Sequence, residues 1–286
     1  MPKIMLIDSP SNPIVKLLRS LAGSARHRRE AGLFLAEGVR VVTDALDAGR
    51  VASSCLYDAE ALGRTEKGRM LLGRLQAIAR SATGRVFEAT ARAIAAASDT
   101  QHPQGVVAAF PIPGWTEPAS TGKAALALVC DDIQDPGNLG TILRTAEASG
   151  VDGVWLTGRC VDLYSPKVVR AAMGAHFRLP CFPDATWSQI ETSLANLGIP
   201  AAGVYAAEAE GSLTYDAVNW NAPAAMIVSN EAHGLGEEAR RLATKGGGLL
   251  AIPMAGGTES LNAAVATAVI LFEAARQRRG GLGAGG

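Results

Sequence analysis

The sequence predicts an α/β protein in two parts, a smaller N-terminal α/β module and a larger C-terminal domain built on a parallel sheet. Three observations carry that reading. From residue 124 onward, short apolar runs alternate with stretches long enough for helices, the pattern of a sheet covered on both faces. Between them and the N-terminal part stands "FPIPGWTEPASTGK", residues 110–123, whose prolines 111, 113 and 118 can sustain neither a helix nor a central strand. Charge also divides there. The chain carries 27 Lys and Arg against 27 Asp and Glu, but residues 1–113 hold 15 basic and 10 acidic side chains and the remainder 12 and 17. A basic part on a neutral chain predicts a local contact with a polyanion. The expected organisation is a module over 1–110, a linker over 111–123, the sheet domain over 124–279 and a flexible tail over 280–286.

In the N-terminal module, "SPSNP" predicts a turn and Ile14, Leu17, Leu18 and Leu21 mark the buried stripe of a helix. The cluster Arg26, His27, Arg28, Arg29 follows. "GVRVVTDALDAG" predicts a second helix ended at Gly49, and "VASSCLY", "GRVFEAT" and "QGVVAAF" predict strands. In the C-terminal part, "AALALVCDD" is a near-continuous apolar run, as a strand buried on both faces requires. A helix from about Asn138 to Ser149 comes next, then strand "GVWLTG" and helix "SPKVVRAAMGAHF". Strands "AAGVYAA", "AAMIVSN" and "GLLAIPM" follow, and the long helix "SLNAAVATAVILFEAARQRR" closes the domain.

Composition excludes several classes. A hydrophobic content of 48% is incompatible with a disordered chain. No apolar run has the length of a membrane-spanning helix, and "MPKIMLIDSPSNP" lacks the regions of a signal peptide, so a cytoplasmic protein is expected. Cys55, Cys130, Cys160 and Cys181 show no metal-ligand spacing, and no metal site is expected.

Ligands of parallel sheets bind at the carboxyl ends of strands, where loops lead into helices. Three glycine-containing loops belong there: "DDIQDPGNLG", "SNEAHGLG" and "PMAGGTESLN". Asn138 and Ser260 suit a ligand contact or a helix N-cap equally. Arg144 is flanked by Ile142, Leu143, Ala146 and Ala148, so it is expected to point toward a pocket. Buried arginine needs a partner, and either a ligand phosphate or an ion pair with Asp131, Asp132 or Glu147 would serve. His233 could act as a base, but a lone loop histidine is more often solvated. Dinucleotide GxGxxG, the P-loop and the GxSxG elbow are all absent.

At these loops the chain resembles the SpoU (TrmH-type) RNA 2'-O-ribose methyltransferases of the SPOUT superfamily. Their first motif is matched by Asn138, Gly140, Arg144, Ala146 and Gly150. The second is matched by Ser229, Glu231, Gly234 and Leu235, and the third by Ile252, Pro253, Met254, Ser260, Leu261 and Asn262. "SNPIVKLLRSL" and "LFLAEGVRVV" look like the RNA substrate-binding domain of ribosomal-RNA members. Ser229 and Ala232 stand where relatives often carry glycine.

The resemblance implies a deep trefoil knot, a homodimer, and S-adenosylmethionine as methyl donor to a ribose 2'-hydroxyl, in ribosomal RNA given the N-terminal module. It implies cofactor contacts from Ser229, Asn230, Gly234, Ile252, Pro253, Met254 and Leu261. Arg144 is expected to clamp the neighbouring phosphate, because a guanidinium stays protonated in proteins and makes a poor base. Glu231 or the RNA phosphate would take the proton, while Asn138, Ser260 and Asn262 orient the reacting groups. Arg26, Arg28 and Arg29 are expected to bind RNA. Transfer RNA as substrate, and a non-catalytic RNA-binding or ribosome-assembly protein on the same fold, stay open as alternatives.

Overall fold

The computed structural model describes residues 6–81, 85–230 and 233–281, which fall into two compact units. One comprises residues 1–114 and 164–177, the other 115–163 and 178–286.

The chain begins with β1 (Leu6–Ile7), α1 (Pro13–Gly23), α2 (Ala25–Ala31), β2 (Leu33–Glu37), α3 (Val39–Asp47) and β3 (Ser54–Tyr57). It continues with α4 (Ala59–Gly63), α5 (Glu66–Arg80), β4 (Val86–Ala89), α6 (Ala91–Ala97) and β5 (Val106–Pro111). The strands form a mixed sheet in the order β1-β4-β3-β5-β2. Asn12 caps α1 by accepting from the Ile14 amide at 2.9 Å, with Pro13 as the first helical residue. The buried stripe of α1 is Val15, Leu18 and Leu21, whereas Ile14 and Leu17 pack at its edge. β2 was not foreseen as a strand, although all but its first residue are buried.

The second half runs β6 (Leu126–Asp131), α7 (Pro136–Ser149), β7 (Gly153–Thr157), α8 (Pro166–Ala171), β8 (Cys181–Ala185) and α9 (Trp187–Asn196). Then come β9 (Val204–Ala207), β10 (Leu213–Thr214), β11 (Ala224–Ser229), α10 (Glu237–Lys245), β12 (Gly248–Ala251) and α11 (Ala263–Gly281). Seven parallel strands make one sheet in the order β10-β12-β9-β11-β6-β7-β8, the α/β architecture that the alternation predicts. Every residue of β6 and β7 is buried, because helices cover both faces. On one face Ala127, Val129 and Ile227 pack with Ile190 and Leu194 of α9 and Ala239 and Ala243 of α10. α11 runs through Gly281, two residues into the stretch expected as a tail; the rest of that stretch lies outside the described residues.

The single helix expected over 165–177 does not form. α8 stops at Ala171, Met173 and Gly174 take φ of +48° and +84°, and a 3₁₀ turn spans Ala175–Phe177. Two successive left-handed residues cannot continue a right-handed helix. The break delivers Tyr164 and Phe177 to Phe34, with ring centroids 5.1 and 5.5 Å away, so residues 164–177 complete the core of the first unit.

Candidate active site

Asp135 caps α7 by accepting from the Asn138 amide at 2.7 Å. Asn138 is therefore inside the helix, not its cap, and its side chain is released for another use. Its Oδ1 accepts from Asn262 Nδ2 at 2.9 Å. The Asn262 Oδ1 takes the amides of Ala264 and Val265 at 3.0 and 3.3 Å, so Asn262, and not Ser260, caps α11. This bridge joins the first and third motif loops. It also explains why asparagine suits position 262: one end of its amide is spent locally and the other reaches across.

Arg144 is exposed, contrary to expectation. The exposed positions of α7 are Gly137, Thr141, Arg144 and Ala148, a stripe at helical spacing, while Leu139, Ile142, Leu143 and Ala146 face the core. The ion pairs weighed for it are taken elsewhere. Asp131 accepts from Thr157 Oγ1 at 3.0 Å, Asp132 pairs with Arg159, and Glu147 pairs with Arg178. Among the described residues Arg144 makes no hydrogen bond or ion pair. Its guanidinium stands in solvent on the helix that carries Asn138.

Asp132, at the end of β6, is buried at φ +57°. Burial alone would raise its pKa, but hydrogen bonds from Gln134 and His233 and the charge of Arg159 outweigh it and hold the carboxyl below its ordinary range. His233 is exposed, as expected of a loop histidine, but its Nδ1 lies 3.1 Å from Asp132 Oδ2.

Beyond the carboxyl ends of β9, β11 and β12 opens a cleft of about 700 Å³. Ser229, Asn230 and Gly234 of the second loop line it, facing Ile252, Met254, Ser260 and Leu261 of the third. Pro253 does not line it, and Ser260, expected beside the reacting groups, does. Neither Asn138, Arg144 nor Asn262 lines it either, so the three loops meet at a junction and do not share one cavity. Glu231 lies outside the described residues. Sequence reasoning missed Glu208 and Glu210 of the wall, which follow β9. The signal was available, since "AAEAEG" leaves a strand at the same edge as the three loops. Gly211 shows why glycine closes that segment: a Cβ there would lie 2.6 Å from the Leu249 carbonyl oxygen.

In the first unit, Arg28 is only 5% exposed, and its Nη1 donates to the Leu21 carbonyl at 2.5 Å. It closes the C-terminal end of α1 and is not open to RNA, against expectation. Arg26 and Arg29 are exposed, Arg26 pairing with Glu30 at 2.6 Å.

Residues 125–272 match the SpoU rRNA Methylase family, more than half of the chain. The chain belongs to that family. Residues 12–108 match the MRM3-like substrate binding domain. This SpoU family member is 35% identical to the mitochondrial rRNA methyltransferase 3A of Danio rerio, over 90% of this chain and 67% of that protein. It is 31% identical to a 23S rRNA uridine 2'-O-methyltransferase of Streptomyces viridochromogenes, over 92% of this chain and 89% of the relative. The AdoMet-bound rRNA methyltransferase of Sinorhizobium meliloti superposes with a TM-score of 0.78 at 32% identity, covering 95% of this chain and 97% of that one.

The cleft fits S-adenosylmethionine on its own chemistry. Its volume lies in the range of small-molecule sites. Val228, Leu235, Leu250 and Ile252 offer apolar surface for an adenine, and the charged side chains among its described lining are the carboxylates Glu208, Glu210 and Glu259. Carboxylates suit a ligand that carries a sulfonium and an ammonium.

Proposed function

We propose that this protein is an S-adenosylmethionine-dependent RNA methyltransferase that methylates a ribose 2'-hydroxyl of ribosomal RNA. The observation that carries the reading is the cleft at the sheet's carboxyl edge, lined by second- and third-motif residues beside the Asn138–Asn262 bridge. Ser229, Asn230, Gly234, Ile252, Met254 and Leu261 hold the cofactor, with Pro253 shaping the loop between two of them. When bound, S-adenosylmethionine supplies an electrophilic methyl group on a good leaving group, so positioning is the protein's main contribution. Arg144 clamps the phosphate beside the target ribose and stabilises charge developing on the oxygen. Asn138 and Asn262 fix the helix ends that present it. Ser260 and Glu231 belong to the same proposed set.

The N-terminal unit binds the RNA, with Arg26 and Arg29 as exposed contacts. The protein works in the cytoplasm as a homodimer on a trefoil-knotted sheet domain. Support for the dimer comes from α11, where Val265 and Phe272, seven residues apart on one face, are 48% and 45% exposed. Among the described residues, no helix is long and apolar enough to cross a membrane. Transfer of labelled methyl groups to unmodified ribosomal RNA, with 2'-O-methyl mapping in cells lacking the protein, tests the reading. RNA binding without methyl transfer would favour the non-catalytic alternative.

A further inference from the structure

Asp132 is 2% exposed and holds a backbone conformation that side-chain-bearing residues seldom adopt. Its carboxylate gathers three segments at the sheet's carboxyl edge. Gln134 Nε2 donates to Oδ1 at 2.8 Å, Arg159 Nη2 to Oδ2 at 2.7 Å, and His233 Nδ1 lies 3.1 Å from Oδ2. Arg159 suffices to balance the buried charge. The histidine is then an addition whose effect falls on the histidine itself: a side chain 57% exposed is fixed by a buried oxygen. An ionised carboxylate only accepts, so Nδ1 donates and the lone pair of the neutral ring rests on Nε2. Nothing among the described residues bonds Nε2.

The dyad is also joined through the chain to both halves of the site. Asp132 begins the segment that ends in Asn138. His233 directly precedes Gly234, whose amide donates to the Asn230 carbonyl at 2.9 Å, and both Asn230 and Gly234 line the cofactor cleft.

We propose that His233, oriented by Asp132, is the general base that accepts the proton of the ribose 2'-hydroxyl. This rests on the function proposed above. The O–H bond breaks and its proton passes to Nε2 while the oxygen forms a bond to the methyl carbon. The carbon–sulfur bond breaks with its electron pair left on sulfur, so the positive charge of the sulfonium reappears on the imidazolium. Asp132 stabilises that cation, and the exposed ring returns the proton to water. Asp132 is a positioning residue, since it touches the ring and not the RNA. The charged groups gathered at the ring are Asp132 and, on the same carboxylate, Arg159.

The test uses the full chain, wild type, His233→Ala and Asp132→Asn; asparagine tolerates the left-handed backbone at 132. Ring-nitrogen NMR of the free wild-type protein should show the neutral His233 ring protonated on Nδ1, and Asp132→Asn should move that proton to Nε2. Single-turnover methyl transfer, at saturating cofactor and RNA, should fall about 10²–10⁴-fold in His233→Ala. Calorimetric S-adenosylmethionine affinity should not change. A wild-type rate in His233→Ala, or a wild-type ring resting as the Nε2–H tautomer, overturns the proposal. A wild-type protein that binds S-adenosylmethionine and methylates no ribosomal RNA instead overturns the proposed function.

Discussion

Arg144 gains meaning from what surrounds it. Exposed on α7, with each candidate acidic partner engaged elsewhere, its guanidinium holds its full capacity to donate to a phosphate. Arg144→Ala should lower methyl transfer at least about 100-fold, in line with loss of a charge-stabilising donor, with cofactor affinity intact by calorimetry. Turnover at the wild-type rate would remove it from the mechanism. The N-terminal arginines separate in the same way. Arg29→Glu should weaken RNA binding and reduce its salt dependence without moving the melting temperature. Arg28→Ala should lower the melting temperature, because the Leu21 carbonyl loses a buried charged donor. Identical behaviour of the two variants would contradict the assignment.

α11 is held at both ends. Asn262 starts it and reaches Asn138, while Arg278 near its other end donates to the carbonyls of Trp220, Ala124, Ala125 and Ala222 at 2.8, 2.7, 3.0 and 3.1 Å. One guanidinium thus ties the helix to the segments entering β6 and β11, the strands whose far ends open onto the site. Arg278→Ala should destabilise the second unit by about 2–4 kcal/mol, given the usual worth of charged hydrogen bonds and the carbonyls left unmet. Chemical denaturation measures it; an unchanged midpoint would show those carbonyls to be satisfied by water. The cleft floor makes a parallel demand. Leu261→Trp should fill space that the cofactor needs and weaken S-adenosylmethionine binding, and unchanged calorimetric affinity would move the cofactor elsewhere.

Across the whole molecule, sequence order and packing order disagree. Residues 164–177 lie between β7 and β8 of the catalytic sheet, yet their side chains complete the first unit's core. Phe177 meets Phe34 and Phe110 at 5.5 and 5.1 Å between ring centroids, and Arg170 pairs with Asp99 at 2.9 Å. Phe177→Ala should therefore cost the first unit about 3–5 kcal/mol, the usual range for a buried phenylalanine. Hydrogen exchange should show lost protection in β2 and β5. Loss confined to β7 and β8 would contradict this.

Much of the sheet domain was legible because its strands are apolar without interruption and its loops carry distinctive residues. "ALALVCD" and "AAMIVS" can be little else than central strands, and Asn138, Ser229 and Leu261 announce the loops that end them. α5 was illegible for the opposite reason: "EKGRMLLGRLQAIAR" is interrupted by two glycines, while α10, "EEARRLATK", was legible only as the helix that the second loop leads into. Local sequence thus determined the fold class, the family motifs and the edge of the sheet where ligands bind. Only the tertiary structure decided that Arg144 faces solvent, that Arg28 is a buried cap, and that His233 rests on Asp132. Those outcomes depend on which groups meet across 7 to 124 residues of chain, and because buried polar groups need partners, such meetings follow from packing and not from local propensity.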